Sequence, residues 1–209
     1  TNPLNDKQKL HYLIENSTLT IQYASSGYTG NIDSKYKQLK IEIPENVKLS
    51  INNVSAGINS DKLALSELKI ENVSGSINTG DIIATQADID SVSGSVTLGK
   101  AALEKSIKID TVSANINTDF IITEKSKFET VSGSIDTKIH KCKDLTIEST
   151  SGAVGLSLDD KLGAEIDYST VSGSYSSEKG HKTESGKIIF GDGSCKIKVK
   201  TISGNLQIR

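Results

Sequence analysis

The stretch "TVSGSIDT", Thr130 to Thr137, decides the fold because it does not stand alone. Close copies are "NVSAGINS" from Asn53, "NVSGSINT" from Asn72, "SVSGSVTL" from Ser91, "TVSANINT" from Thr111, "STSGAVGL" from Ser149, "TVSGSYSS" from Thr170 and "TISGNLQI" from Thr201. With Val54, Val73, Val92, Val112, Val131, Thr150, Val171 and Ile202 as position zero of each copy, the intervals are 19, 19, 20, 19, 19, 21 and 31 residues. A fixed period of this length marks a repeat architecture, in which a unit too small to bury its own apolar side stacks on its neighbours.

Outward from the corner, the aligned columns say what each position does. One residue after zero is Ser in all eight copies, and the next is Gly or Ala in all eight. Ser74-Gly75, Ser93-Gly94, Ser132-Gly133 and Ser172-Gly173 are typical. Such a corner admits almost no side chain, and its hydroxyl has a fixed job, to bond backbone groups that the bend leaves unpaired. Three before zero stand Ile51, Ile70, Ile89, Ile109, Phe128, Ile147, Tyr168 and Val199; four after zero stand Ile58, Ile77, Val96, Ile116, Ile135, Val154, Tyr175 and Leu206. Both columns are apolar throughout. Segments such as "ELKIE", "SIKID" and "SKFET" ahead of the corners alternate at period two, as half-buried strands do.

Strand, sharp corner, strand, stacked like on like, predicts an all-β chain: a single-stranded parallel β-helix, or β-solenoid. About eight rungs of 19–20 residues would fill 46–209. At about 4.8 Å per rung this makes a rod of roughly 35 to 40 Å, and parallel crossovers predict a right-handed coil. The β-branched runs and Ser-Gly corners work against helix.

Residues 1–45 are expected to form a hairpin or irregular cap rungs. Leu10, Tyr12 and Ile14 alternate, as do Leu19, Ile21 and Tyr23, with Asn16-Ser17 as turn chemistry between them; a short helix near Asp6 to Ile14 is the alternative. An open solenoid end needs some cap, because it is an unpaired strand edge. The long last interval predicts an inserted hairpin near 176–195, a candidate for the variable part of the surface.

The "VSGSI" and "TISGNLQI" pattern, introduced by "LKIEIPENVKLSINNVSAGI", resembles the bacterial family of adhesin-type β-strand-repeat domains of unknown function, members of which occur in Lia-type cell-envelope stress loci of Gram-positive bacteria. The likeness covers Leu39 to Arg209, and the first 38 residues match only loosely. It implies a right-handed β-helix and an extracytoplasmic place, at the cell surface or secreted. It brings no catalytic residues and no cofactor.

Composition agrees with a single stacked core: 209 residues, 35% hydrophobic, net charge -2, two Pro. No apolar run is long enough to span a membrane, no signal peptide is visible, and the lack of Met points to a mature or trimmed chain. Two Cys make no disulfide scaffold. In uninterrupted rung order Cys142 and Cys195 stand about two rungs, or about 10 Å, apart, whereas bridged Cys need Cα atoms within roughly 7 Å. Two free thiols are expected, unless the insertion in the 31-residue interval returns Cys195 by a rung. Cys142 shares a column with Leu65 and Ala84 and should point inward, whereas Cys195 borders the insertion and is expected to be the more accessible thiol.

Catalysis finds little support. Enzymes on β-helices use converging carboxylates and a cation for acidic sugars, but the only Arg is Arg209, there is no Trp, and aromatics are 4%. His11, His140 and His181 are separate in sequence and fit no zinc spacing. The corner Ser residues are too many and too regular to be nucleophiles. "GDGS" at Gly191 and "NTGD" at Asn78 read as turns, since calcium solenoids need Gly and Asp at every turn. Asn16, Asn53 and Asn72 begin Asn-X-Ser/Thr triplets that are products of the repeat.

One column is not accounted for by packing. Two before zero, Glu71, Asp90, Asp110, Glu129 and Glu148 follow one another in successive rungs on an outward position. Lys69, Lys108 and Lys127, two residues earlier, offer partners, with Asp88 the exception. Neighbouring exposed carboxylates at about 5 Å repel by on the order of 1 kcal/mol. The stripe is either a solvated face that blocks sideways aggregation or a surface for cations, cationic peptides or a partner protein; nucleic acid would need the opposite sign. The expected function is a non-enzymatic surface module that binds or displays, with a protein, peptide or cell-envelope ligand. The alternative is an envelope-stress sensor that engages cationic antimicrobial peptides or a membrane protein through the acidic face.

Overall fold

The computed structural model describes residues 9–23 and 38–209, and these are all-β. The chain divides into two units, Thr1–Glu42 and Ile43–Arg209. In the first, β1 (Leu10–Glu15) and β2 (Thr18–Tyr23) form an antiparallel hairpin that pairs Leu10 with Tyr23, Tyr12 with Ile21 and Ile14 with Leu19. Asn16 and Ser17 turn it at φ 49° and 62°, the left-handed pair that a two-residue hairpin turn requires. Leu10 to Ile14 are therefore extended and not helical, because their apolar residues alternate at the period of a strand. Residues 6–8 of the helix alternative lie outside the described residues.

The second unit is a β-solenoid of parallel stacked coils. Its strands are β3 (Lys48–Asn53), β4 (Ile58–Ala64), β5 (Glu67–Asn72), β6 (Ile77–Ser91), β7 (Val96–Thr111), β8 (Ile116–Ile122), β9 (Lys125–Thr130) and β10 (Ile135–Lys141). There follow β11 (Asp144–Ser149), β12 (Val154–Leu158), β13 (Ala164–Ser169), β14 (Tyr175–Ser177), β15 (Lys182–Glu184), β16 (Lys187–Phe190), β17 (Cys195–Thr201) and β18 (Leu206–Ile208). Ile51 pairs with Ile70, Ile70 with Ile89, Ile89 with Ile109, Ile109 with Phe128 and Phe128 with Ile147. Five of these six, from Ile70 onward, are fully buried. The column read from sequence as apolar is the spine of the core.

Within a turn the inward residues change phase three times. Between Val73 and Gly94 the outward neighbours Gly80-Asp81, Thr85-Gln86 and Val92-Ser93 each interrupt the alternation of buried and less buried residues. Two successive outward side chains mark a bend, so each turn has three short sides rather than the expected two strands and one corner.

The Ser-Gly corner lies at one of these bends. Ser74 Oγ donates to the Val54 carbonyl at 2.9 Å, Ser93 Oγ to Val73 at 3.1 Å and Ser151 Oγ to Val131 at 3.3 Å, each on the preceding turn. The backbone N–H of the same Ser residues shares that acceptor. The hydroxyl does bond backbone, but not the expected groups that the bend leaves unpaired: it reinforces a carbonyl of the turn below that already has a partner, and so ties one turn to the next. The following residue must be small because turns meet backbone to backbone there: a Cβ on Gly133 would fall on the Ala114 carbonyl, and one on Gly75 on the Ala56 carbonyl.

A column missed from the sequence completes the corner. The residue before zero is Asn53, Asn72, Ser91, Thr111, Thr130, Ser149, Thr170 or Thr201, always short and able to hydrogen-bond. Most are buried. Ser91 Oγ donates to the Gly94 carbonyl at 2.7 Å, Thr201 Oγ1 to Gly204 at 2.8 Å, and Thr130 Oγ1 accepts from the Gly133 N–H at 2.9 Å. Asn72 Nδ2 likewise donates to the Gly75 carbonyl. Buried polar groups demand partners, and here each one clamps the bend three residues ahead.

Eight rungs in chain order are expected; the coil keeps chain order for about six turns, and then the last two copies exchange places. β17 pairs with β11 on one side and β13 on the other, and β18 lies between β12 and β14. The chain leaves β12, skips one level through 159–163, forms β13 and β14, and returns through the β15–β16 hairpin to fill the gap. β16 runs antiparallel along the outer edge of β13. The exchange overturns the expectation of free thiols: Cys142 and Cys195 form a disulfide with Cα atoms 5.5 Å apart. The two-rung separation assumed that the eighth copy followed the seventh in space; it stacks directly on the sixth instead. Cys142 does point inward, at 8% exposure, but Cys195 is not the more accessible of the two: it opens the interior strand β17 and is fully buried.

Candidate functional site

The Ser-Gly corner places two outward columns side by side along the coil. The zero column forms a ridge of exposed β-branched residues. Val73, Val92, Val112 and Val131 are 44–50% exposed, whereas Val54 is 69% and Val171 81% exposed. Val54 opens the stack and Val171 closes it, so the difference measures how far neighbours cover one another. Thr150 is the one polar interruption.

The column beside the ridge holds the five acids. Glu71 meets Lys69 at 2.6 Å, Glu129 meets Lys127 at 2.6 Å, and Asp110 meets Lys108 at 2.5 Å. Lys108 also reaches Asp90 at 3.9 Å and Asp88 at 4.0 Å. The bond to Glu71 raises the Lys69 pKa, and the bond to Asp110 raises that of Lys108. Burial first, then the Asp88 carboxylate, push the Asp90 pKa above the ordinary value, against the pull of Lys108. Glu148 has a partner that consecutive rungs do not supply. Lys200 of the transposed copy stands at 3.2 Å and lowers the Glu148 pKa. All five acids thus have a lysine within 4 Å, and half-exposed pairs of this kind contribute roughly 0–1 kcal/mol each.

Ridge and stripe border an open groove of about 550 Å³ near the transposed levels, lined among others by Glu129, Glu148, Thr150, Val171, Lys200 and Ile202. Copy six supplies Thr150 to the ridge and copy eight supplies Lys200 to the stripe, so here the apolar line is broken and the charge changes sign.

The histidines stand in different settings. His140 stacks on Phe120 at 4.3 Å between ring centroids, and its Nδ1 lies 2.7 Å from Asp159 Oδ2. His181 lies between Tyr175 and Phe190 at the far end of the coil, at 6.2 Å and 5.7 Å. Among the described residues no three His, Cys, Asp or Glu side chains converge as metal ligands would, and no helix is long and apolar enough to cross a membrane. Most corner Ser hydroxyls are engaged with carbonyls and are not poised over an open cleft.

No curated protein matches the chain. No solved structure matches it either. One family model does, over residues 1–209, and it describes a β-repeat domain of unknown function. With its stacked coils and repeated corners, the chain belongs to the Toastrack DUF4097 family.

Proposed function

We propose that this Toastrack domain is a non-enzymatic binding or display module of adhesin type, working outside the cytoplasm at the cell surface or in secreted form. The observation that carries the reading is the outward corner: an apolar ridge, broken only at Thr150, beside a charged ladder that runs through Glu71, Asp90, Asp110, Glu129 and Glu148 on a stacked core. An extended, periodic surface of this kind suits an extended or polymeric ligand better than a small substrate. The buried disulfide supports the location, since such bridges persist in oxidising compartments.

The test compares the native domain with a Val73→Ser, Val92→Ser, Val112→Ser, Val131→Ser variant for binding to purified cell-wall polymer and to host-cell surfaces. Loss of binding with an unchanged melting curve upholds the ridge as the contact; unaltered binding removes it. Alkylation trapping in producing cells checks the location, because free thiols at Cys142 and Cys195 would count against it.

The sensor reading has one observation in its favour. Around Lys108 three carboxylates, Asp88, Asp90 and Asp110, share a single cation. Binding of a cationic amphipathic peptide that weakens with salt and is lost in Asp90→Asn selects it over the adhesin-type reading.

A further inference from the structure

The exchanged order of the last two copies leaves a gap in the coil that only the C-terminal segment fills. β13 and β14 form no ladder with β11 or β12. Between them lies a slot one level thick, walled on one side by β11 and β12 and on the other by β13 and β14. Residues 195–208 enter it as an interior rung: Ile197, Val199, Leu206 and Ile208 are at most 2% exposed. They bond to both walls. The Lys196 N–H donates to the Lys143 carbonyl at 2.7 Å and the Arg209 N–H to Leu156 at 2.9 Å, while the Leu206 N–H donates to Ser174 at 3.0 Å.

We propose that this slot is a strand-exchange site, and that its alternative occupant is the C-terminal rung of a second copy of this chain. Two observations point to that occupant. What the slot recognises is the repeat pattern, and the matching rung, with Cys195 to meet Cys142, is carried by every copy of this chain. The tether has a built-in hinge: Gly191 and Gly193, at φ 54° and 66°, are the first and third residues of the four-residue crossing from β16 to β17. That crossing passes so close over Gly163 that a Cβ there would meet Asp192. Opening the crossing and passing residues 195–209 to a neighbour rebuilds every rung contact in both chains and changes only the hinge, which is the condition for a low-cost swap. A swapped pair carries two Cys142–Cys195 bridges, each between different chains.

Wild-type chain at natural isotope abundance and chain fully labelled with ¹⁵N are unfolded, reduced, mixed and refolded with oxidised glutathione, which accepts the two electrons of each disulfide formed. Non-reduced digests are then read by mass spectrometry for the Cys142–Cys195 peptide pair. Light–heavy hybrid pairs that increase with protein concentration, in a species of dimer mass by light scattering, are the expected result. Light–light and heavy–heavy pairs alone at every concentration overturn the proposal. Equal hybrid yield when the two forms are refolded apart and only then mixed also overturns it, since that would be coupling of folded monomers. Deleting Asp192 and Gly193, which leaves the hinge too short to cross Gly163, should move the refolded protein toward dimer; a chain that stays monomeric at the highest concentration overturns it as well.

Discussion

The first six turns and the last two levels are built from the same repeat and differ in what holds them. In the regular coil each rung rests on the one formed just before it in the chain, and the contacts are local in sequence. At the C-terminal end the seventh copy rests on the eighth, and the eighth on the sixth. The repeat motif therefore specifies that rungs stack, and leaves open which rung stacks on which. The choice falls to features outside the motif: the Tyr168 and Tyr175 side chains, the Cys142–Cys195 bridge, and Glu165, which holds Lys187 of β16 at 2.6 Å and Lys196 of β17 at 2.8 Å.

The largest test of this difference is deletion of residues 195–209. In an uninterrupted coil this would trim an end rung and leave the rest intact. Here it should strip hydrogen-exchange protection from β13, β14 and β16 together and expose the upper side of β11 and β12. Retained protection of β13 would mean that the seventh copy can stack directly on the sixth, and the distinction between the regions would fall.

Gly133→Val probes the regular coil alone. Because a Cβ there collides with the Ala114 backbone, the turns must separate, at about 3 kcal/mol or more. Denaturant unfolding measures it, and a midpoint unchanged from wild type would show that the corner tolerates bulk.

Ile109→Ala should destabilise by roughly 2 to 5 kcal/mol, as for a buried Ile in a packed stack. Tyr175→Ala, in the terminal rung and 42% exposed, should cost less, about 1 kcal/mol. Equal losses would erase the contrast between interior and end rungs.

The smallest effect is a pH dependence at the exchanged end. Hydrogen bonds from Lys187 and Lys196 lower the Glu165 pKa from 4.5 to about 2. A folded-state pKa below the unfolded one gives stabilisation that is present above about pH 4.5 and lost as pH falls toward 2. Melting temperature should fall over that window more steeply in wild type than in Glu165→Gln. Parallel curves would remove Glu165 as a clamp between β16 and β17.

Much of this was legible in the residues, and the transposition left traces too. Seven of the eight copies carry an aliphatic residue four after zero, but the seventh has Tyr175 there and Tyr168 in the other core column. Tyr suits a rung with one wet side, and the Tyr168 hydroxyl does donate to the Gly204 carbonyl at 3.0 Å. The eighth copy, last in the chain, has the interior residues Val199 and Leu206. The buried Asn, Ser and Thr before each corner were equally visible as a column. They escape a reading by hydrophobic pattern because a short polar residue in a strand normally implies water, and only the fold shows a bend to clamp.

What the sequence determined by itself is everything the period dictates: the all-β stacking, the apolar spine, the small corner residue and a Ser hydroxyl bonded to backbone beside it. These follow from contacts between one residue and its counterpart about nineteen positions on, so the alignment of copies already contains them. The three-sided turn, the exchange of the last two copies, the disulfide and the Glu148–Lys200 pair were decided by tertiary structure. They depend on which equivalent neighbour a rung accepts, and copies alike enough to stack on any other carry no address in their repeat pattern.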